Sequence, residues 1–321
     1  MDGDMIIGLA KVTEAAAIRS AKLVGRGDKN EADGVAVDGM NDAFASMPIR
    51  GTVVIGEGEL DEAPMLYIGQ KVGKWEMDMP EMDIAVDPVD GTTLIAKGLS
   101  HGIAVVAMGK KGTLLHAPDM YMEKIAVGRG AKGVIDIGKS PIENMINTAK
   151  ALGKDVRELT VLLQDRDRHN YIIEDARRIG AKVKVFGEGD VEAILTCGLE
   201  NLGVDIFMGT GGAPEGVIAA AAIKCLGGDM QCRLKPYTTE EINRCFEMGI
   251  KDIGKMFTLD DLVKGDEVYF SATGITKCEF LDGVIFNNNQ AITYTMVMNL
   301  KDRTTRFIKT MRSNIVSYKN K

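Results

Sequence analysis

Histidine and cysteine are scarce in this chain, and each shortage removes a chemistry. The three histidines (His101, His116, His169) form no H-E-x-x-H pair, which excludes a zinc-hydrolase helix of that type. The five cysteines (Cys197, Cys225, Cys232, Cys245, Cys278) include no C-x-x-C pair. None is followed by five residues and then arginine, the spacing of a thiol phosphatase. An odd set with no pairing pattern fits a reducing cytoplasm rather than a disulfide framework. Basic residues are the minority: 39 lysines and arginines stand against 46 acids, a formal charge of −7. A nucleic-acid binder needs the opposite balance to neutralise phosphates. An anionic substrate would need this field reversed locally, which a bound divalent cation does most simply. Long apolar runs are missing too. The longest, 217–223, cannot span a bilayer. Met1-Asp2-Gly3-Asp4 lacks the basic start of a signal peptide, so a cytoplasmic protein off the membrane is expected.

What is present is glycine, 37 residues of it, set largely beside acids and threonines. The 321 residues suffice for two domains. Helical spacing over 6–24 predicts an amphipathic helix that stops at Gly25-Arg26-Gly27. Asp28 and Glu31 have the spacing of a capping box, which starts a second helix running to about Ala45. Strands are expected at 52–55, 82–87, 103–108 and 124–127. The rhythm changes near Leu159. Strands at 159–163, 183–186 and 204–208 alternate with helices at 169–179, 191–197 and 214–226, which predicts parallel β-α-β units. That change sets the expected boundary between an N-terminal domain, 1–158, and a C-terminal domain, 159–321. The tail from Val268 reads as β-rich, with Asn287-Asn288-Asn289 as a turn.

The most specific stretch is Asp87-Pro88-Val89-Asp90-Gly91-Thr92. It follows a run in which Met82, Ile84 and Val86 share one face, as in a half-buried strand. Pro88 has no ladder N–H and should end that strand. Asp87 and Asp90 then stand at its mouth, where open α/β sheets keep their ligands. Gly91 admits an anion close to the backbone, and Thr92 adds a hydroxyl. Three other segments share this design: Gly56-Glu57-Gly58-Glu59-Leu60-Asp61-Glu62 after a strand, Asp28 to Asp33 at a helix start, and Gly209 to Gly216 between a strand and a helix. Asp33, Glu57, Asp87, Asp90 and Glu215 offer oxygen ligands only, which suits Mg²⁺ or Mn²⁺ rather than zinc or copper.

These residues resemble a known pattern. The hexapeptide is similar to the signature of lithium-sensitive, metal-dependent sugar and inositol phosphatases. Longer runs are similar to bacterial class II fructose-1,6-bisphosphatases from near residue 6 to about 310: Gly25 to Lys29, Ile55 to Glu59, Asp61 to Tyr67, Ala117 to Lys124, Gly211 to Gly216 and Ser271 to Thr276. The resemblance implies a layered α/β/α/β/α sugar-phosphatase fold in two domains. It implies hydrolysis of the 1-phosphate of fructose 1,6-bisphosphate, with two or more Mn²⁺ or Mg²⁺ ions on Asp33, Glu57, Asp87, Asp90 and Glu215. Substrate contacts map onto Asp90, Gly91, Thr92, Tyr121, Arg166, Asp167, Arg168, Glu188, Gly189, Asp190 and Gly212, with Lys29 as a further candidate. Thr92 would orient the attacking water, with Asp61 or Glu57 as acceptor. A homo-oligomer, dimer or tetramer, is expected. Asp90 stands where some members carry Glu, and Glu188 where many carry Asp. Two rivals stand beside this reading. In the first, Leu162 to Arg168 resembles the D-x-D start of haloacid-dehalogenase-type phosphatases, with Asp165 as nucleophile. In the second, the chain is a metal-dependent regulatory protein that has kept the fold.

Overall fold

The computed structural model describes residues 2–58 and 65–313. Two sheets stack with helices outside and between them. The first sheet holds β1 (Arg50–Ile55), β2 (Lys71–Val72), β3 (Glu81–Asp90), β4 (Ile103–Lys110), β11 (Val268–Gly274), β12 (Ile285–Asn287), β13 (Gln290–Asn299) and β14 (Thr304–Ser313). The second runs β10-β9-β5-β8-β6-β7, from Met256–Thr258, Asp229–Leu234, Tyr121–Val127, Ile206–Gly212, Thr160–Gln164 and Lys182–Phe186. Chain order and sheet membership cross. β5 joins the second sheet from the first half, and β11 to β14 return to the first sheet at the end.

Three apolar clusters set the layers. Helices α1 (Asp2–Ala21) and α2 (Lys29–Phe44) bury Leu9, Met40 and Phe44 against Ile84, Val86 and Val106 on the outer face of the first sheet. Helices α4 (Pro141–Ala151) and α5 (Asn170–Arg178) bury Met145 and Ile172 against Val161 and Ile206 on the outer face of the second. Between the sheets lie α6 (Asp190–Gly198) and α7 (Ala213–Leu226), packed with Ala85, Val105, Met122 and Phe207. The order is α/β/α/β/α. The apolar run 217–223 is the centre of α7, buried on every side as a helix between two sheets must be. The remaining helices are α3 (Thr92–Lys97), α8 (Thr239–Glu247) and α9 (Leu259–Leu262). Among the described residues no helix is long and apolar enough to cross a membrane.

The structure departs from the sequence expectations in three ways. α1 begins at Asp2 rather than near Ile6, since Met5 already reaches the core. The run 82–86 is buried on both faces, because the middle helices cover the side that carries Ala85. Buried Asp83 is satisfied by the Thr113 and Leu114 N–H groups at 2.9 and 3.2 Å. Pro88 does not end the strand. β3 continues to Asp90 through a register shift against β4, where Asp87 pairs Val105 but Asp90 pairs Ile103. Two residues there oppose one, a β-bulge, and no ladder N–H is asked of the proline. Parallel pairing holds for β6 with β7 and β8, while β5, β9 and β10 pair antiparallel.

Candidate active site

The chain leaves β6 for β7 on one side and returns to β8 on the other, so the strand order reverses at β6. Ligands gather at such switch points, outside the carboxyl ends of the strands. A cavity of about 870 Å³ opens there, facing the end of β3 in the other sheet. Asp33 from α2, Glu57 after β1, Asp87 and Asp90 at the β3 bulge, and Glu215 in the first turn of α7 line it. Arg166 and Arg168 after β6 and Tyr121 of β5 line it too, as do Glu188, Gly189 and Asp190 after β7 and Gly212 at the end of β8. Lys29 and Asp167 do not line it. Asp61, like Glu59, lies outside the described residues.

The bulge determines the two aspartates' geometry. Asp87 Oδ1 accepts the Val89 N–H at 3.0 Å, closing a local turn. Gly91 turns the chain with φ 92°, a conformation that favours glycine, and α3 begins at Thr92. The Thr92 hydroxyl donates to the Val89 carbonyl at 3.3 Å. Asp90 accepts the Glu192 N–H at 3.0 Å from the N-terminus of α6. Gly212 and Gly211 make room for acids: an alanine Cβ would lie 1.9 Å from Glu215 Oε2 at the first and 1.8 Å from Asp190 Oδ2 at the second.

The five acids share an electrostatic strain. Burial is the main reason that each of their pKa values is raised, with mutual repulsion adding to it at Glu57, Asp87 and Asp90. Among the described residues no three acid, histidine or cysteine side chains converge tightly enough to enclose an ion unaided. The donor set nonetheless fits hard cations. It is all carboxylate, it repels itself, and Glu215 Oε2 is buried without a hydrogen-bond partner.

The guanidinium groups are held differently. Arg168 donates to the Thr210 carbonyl through Nε at 3.0 Å and Nη2 at 2.7 Å, and to Gln164 Oε1 at 2.8 Å. It lies 5.0 Å from the Tyr121 ring centroid. His169 holds this turn: its Nδ1 bonds the Gln164 carbonyl and its Nε2 accepts the Thr210 N–H, both at 2.8 Å. Asp165, the alternative nucleophile, is exposed and does not line the cavity. Burial pushes the Cys197, Cys225, Cys232 and Cys278 thiols up to about 12, so none is a thiolate near neutral pH.

Sequence reading missed Asp119, Gln164 and Arg244, which also line the cavity. Asp119 stood inside the quoted Ala117 to Lys124 run, whereas Arg244 on α8 carried no local signal. Two motif-like runs prove structural. Gly98 to Gly102 has G-x-S-x-G spacing, but it follows a helix and Ser100 is outside the cavity. Gly133 to Ser140 has P-loop spacing, but Gly133, Asp136, Ile137, Gly138 and Ser140 already donate their N–H groups to side chains of the protein.

Carboxylates and guanidinium groups lining one cavity define a class: a site for cations and an anionic ligand together, as phosphoryl-transfer enzymes need. Known proteins make the assignment closer. Residues 3–312 match the family of bacterial fructose-1,6-bisphosphatases that are glpX-encoded. The chain is 46% identical to fructose-1,6-bisphosphatase 1 class 2 of Escherichia coli K12, covering 97% of this chain and 96% of that one. It is 43% identical to the class 2 enzyme of Haemophilus influenzae, with the same coverage. It is 41% identical to a D-fructose 1,6-bisphosphatase class 2/sedoheptulose 1,7-bisphosphatase of Synechococcus, again over 97% and 96%. Among solved structures, the extragenic suppressor protein suhB of Bartonella henselae overlaps 60% of this chain and 71% of its own at 11% identity, with a TM-score of 0.34. The chain belongs to the class II fructose-1,6-bisphosphatase family, whose members are generally metal-dependent.

Proposed function

We propose that the cavity hydrolyses the 1-phosphate of D-fructose 1,6-bisphosphate to give fructose 6-phosphate and phosphate. The observation that carries this reading is the one cavity that joins the five candidate ligands Asp33, Glu57, Asp87, Asp90 and Glu215 to Arg166 and Arg168. Asp33, Glu57, Asp87, Asp90 and Glu215 would hold two or more Mn²⁺ or Mg²⁺ ions. When bound, such ions would supply charge neutralisation and acidify water near neutrality.

The chain's own residues do the rest. Arg166, Arg168 and Tyr121 hold the phosphate that stays, with two guanidinium groups to match its charge. Glu188, Gly189, Asp190 and Gly212 face the sugar, while Asp90, Gly91 and Thr92 meet the phosphate that leaves. Thr92 orients the attacking water, accepting a hydrogen bond from it and passing its own proton bond to Glu57 or Asp61. To do so the hydroxyl gives up a long bond to Val89, which is little loss at 3.3 Å. Water attacks phosphorus in line, the bond to the C1 oxygen breaks, and that oxygen leaves with a proton. We place the enzyme in the cytoplasm as a homo-oligomer with no nucleic-acid partner, in keeping with five free cysteines and the acidic charge.

The test compares phosphate release with Mn²⁺ from fructose 1,6-bisphosphate, sedoheptulose 1,7-bisphosphate and inositol 1-phosphate. A clear preference for the sugar bisphosphates is expected; preference for inositol 1-phosphate would contradict the reading. Asp165→Asn separates the aspartyl-phosphate rival, because only that mechanism dies with it.

A further inference from the structure

Lys124, on β5, has a fully enclosed side chain, and it is the only buried lysine or arginine among the described residues. Its ammonium donates to Asp190 Oδ2 at 2.7 Å. Asp190 is the first residue of α6 and lines the cavity. Among the described residues it is the one acid of that lining to which a lysine or arginine is bonded. The surroundings are cut to fit this pair. Gly211 leaves the space that Asp190 Oδ2 fills, 1.8 Å from where a Cβ would be. Gly216, in the first turn of α7, lies against the lysine stem, with Cε 3.5 Å from where a Cβ would be, an ordinary packing contact; the tight neighbour at that position is Met122 Sδ at 2.8 Å.

Stability alone does not explain the pair. Replacing a buried ion pair by apolar residues is often neutral or favourable, whereas a lone buried charge is strongly unfavourable. Burial pulls the Lys124 ammonium down, but Asp190 beside it and Glu215 farther off more than reverse this, so the lysine stays charged. The carboxylate it holds opens on the cavity, with Oδ2 committed to the lysine and Oδ1 left as an acceptor.

We infer that Lys124 is a positioning residue: it fixes Asp190 so that Oδ1 accepts a hydroxyl of the sugar, and thereby sets affinity for the substrate. This rests on the reading that Asp190 faces the sugar. Lys124 itself does not touch the reacting atoms.

The test is a four-protein cycle of wild type, Lys124→Met, Asp190→Asn and the double variant. Each is measured for kcat and KM on fructose 1,6-bisphosphate at saturating Mn²⁺, with its melting temperature. Methionine keeps the lysine's length without its charge, and asparagine keeps the shape of Asp190. Each single variant is expected to raise KM by about tenfold, the worth of one charged hydrogen bond, with kcat changed far less. The double variant is expected to be no worse than Asp190→Asn. KM effects that multiply in the double variant, or an unchanged KM in Lys124→Met, would overturn the inference. An unchanged KM in Asp190→Asn would instead sink the sugar-contact reading, and the inference with it. A raised KM in Asp190→Asn beside a normal one in Lys124→Met fails the inference alone. Should Lys124→Met not fold, Gly211→Ala pushes on Asp190 from the other side and is expected to raise KM likewise; a normal KM there would overturn the inference.

Discussion

Asp90 accepts the backbone N–H of Glu192 at 3.0 Å, so a strand-end carboxylate of one sheet is held by the N-terminus of a helix lying between the two. The dipole of α6 favours a negative charge at that point. The bond sets the relative position of the acid-bearing bulge and the loop Glu188 to Asp190. The cavity walls therefore meet through a contact that is itself part of the site.

Asp90→Asn keeps an oxygen to accept the Glu192 N–H and removes the charge. Activity is expected to fall below detection and Mn²⁺ affinity to weaken, while the melting temperature without metal stays level or rises, because a buried and repelled charge is gone. Calorimetric titration and a thermal melt check this. Wild-type turnover would contradict the ligand role.

Gly212→Ala isolates crowding from backbone strain. Gly212 has φ −62° and ψ 139°, open to any residue, but its new Cβ would meet Glu215 Oε2 at 1.9 Å. The displaced carboxylate should weaken Mn²⁺ binding by roughly 10–100-fold with little change in melting temperature. Unaltered metal affinity would mean Glu215 is not a ligand.

Much of this was legible in the sequence because the chemistry sits at strand and helix ends with local signatures. Helices α1 and α2 and the alternation from β6 to α7 were readable from periodicity, whereas β2 and α4 were not read, and Asp33, Glu57, Asp87, Asp90 and Glu215 all reached one cavity. What failed was what depends on partners distant in sequence. Pro88 was expected to end β3, but a bulge is defined only against β4. Lys29 and Asp167 belonged to the right segments, yet the 3-10 turn after β6 presents Arg166 and Arg168 to the cavity and Asp167 away from it. Burial of Lys124 is equally invisible, since a lysine in a strand reads as a surface residue until Asp190 is found beside it.

Thr92→Ala should lower kcat by roughly 10²–10⁴-fold, the usual worth of a group that positions a proton transfer, with a much smaller rise in KM. Steady-state kinetics at saturating metal decide this. A change in KM alone would make Thr92 a binding residue only.

Half-buried His101 and buried His169 should titrate in opposite directions from the ordinary 6.5. Glu192, bonded at 3.4 Å, raises His101, so its contribution to stability is full below 6.5 and is lost as pH rises through the raised value. Burial lowers His169, whose Nε2 is occupied by the Thr210 N–H. The folded chain refuses that proton while the unfolded chain takes it, so this contribution is full above 6.5 and fades as pH falls below it. Imidazole NMR titration of the two single His→Gln variants assigns each curve. A His169 that titrates above 6.5 would contradict the neutral tautomer described for it.

The most direct measurement is metal reconstitution. The protein is stripped with a chelator, then Mn²⁺ is returned stepwise while uptake and phosphate release from fructose 1,6-bisphosphate are followed together. No activity in chelator, and recovery in step with uptake of two or more ions per chain, is the expected result. Full activity in the chelated protein, or ions taken up with no return of activity, would contradict a carboxylate site that works through bound cations.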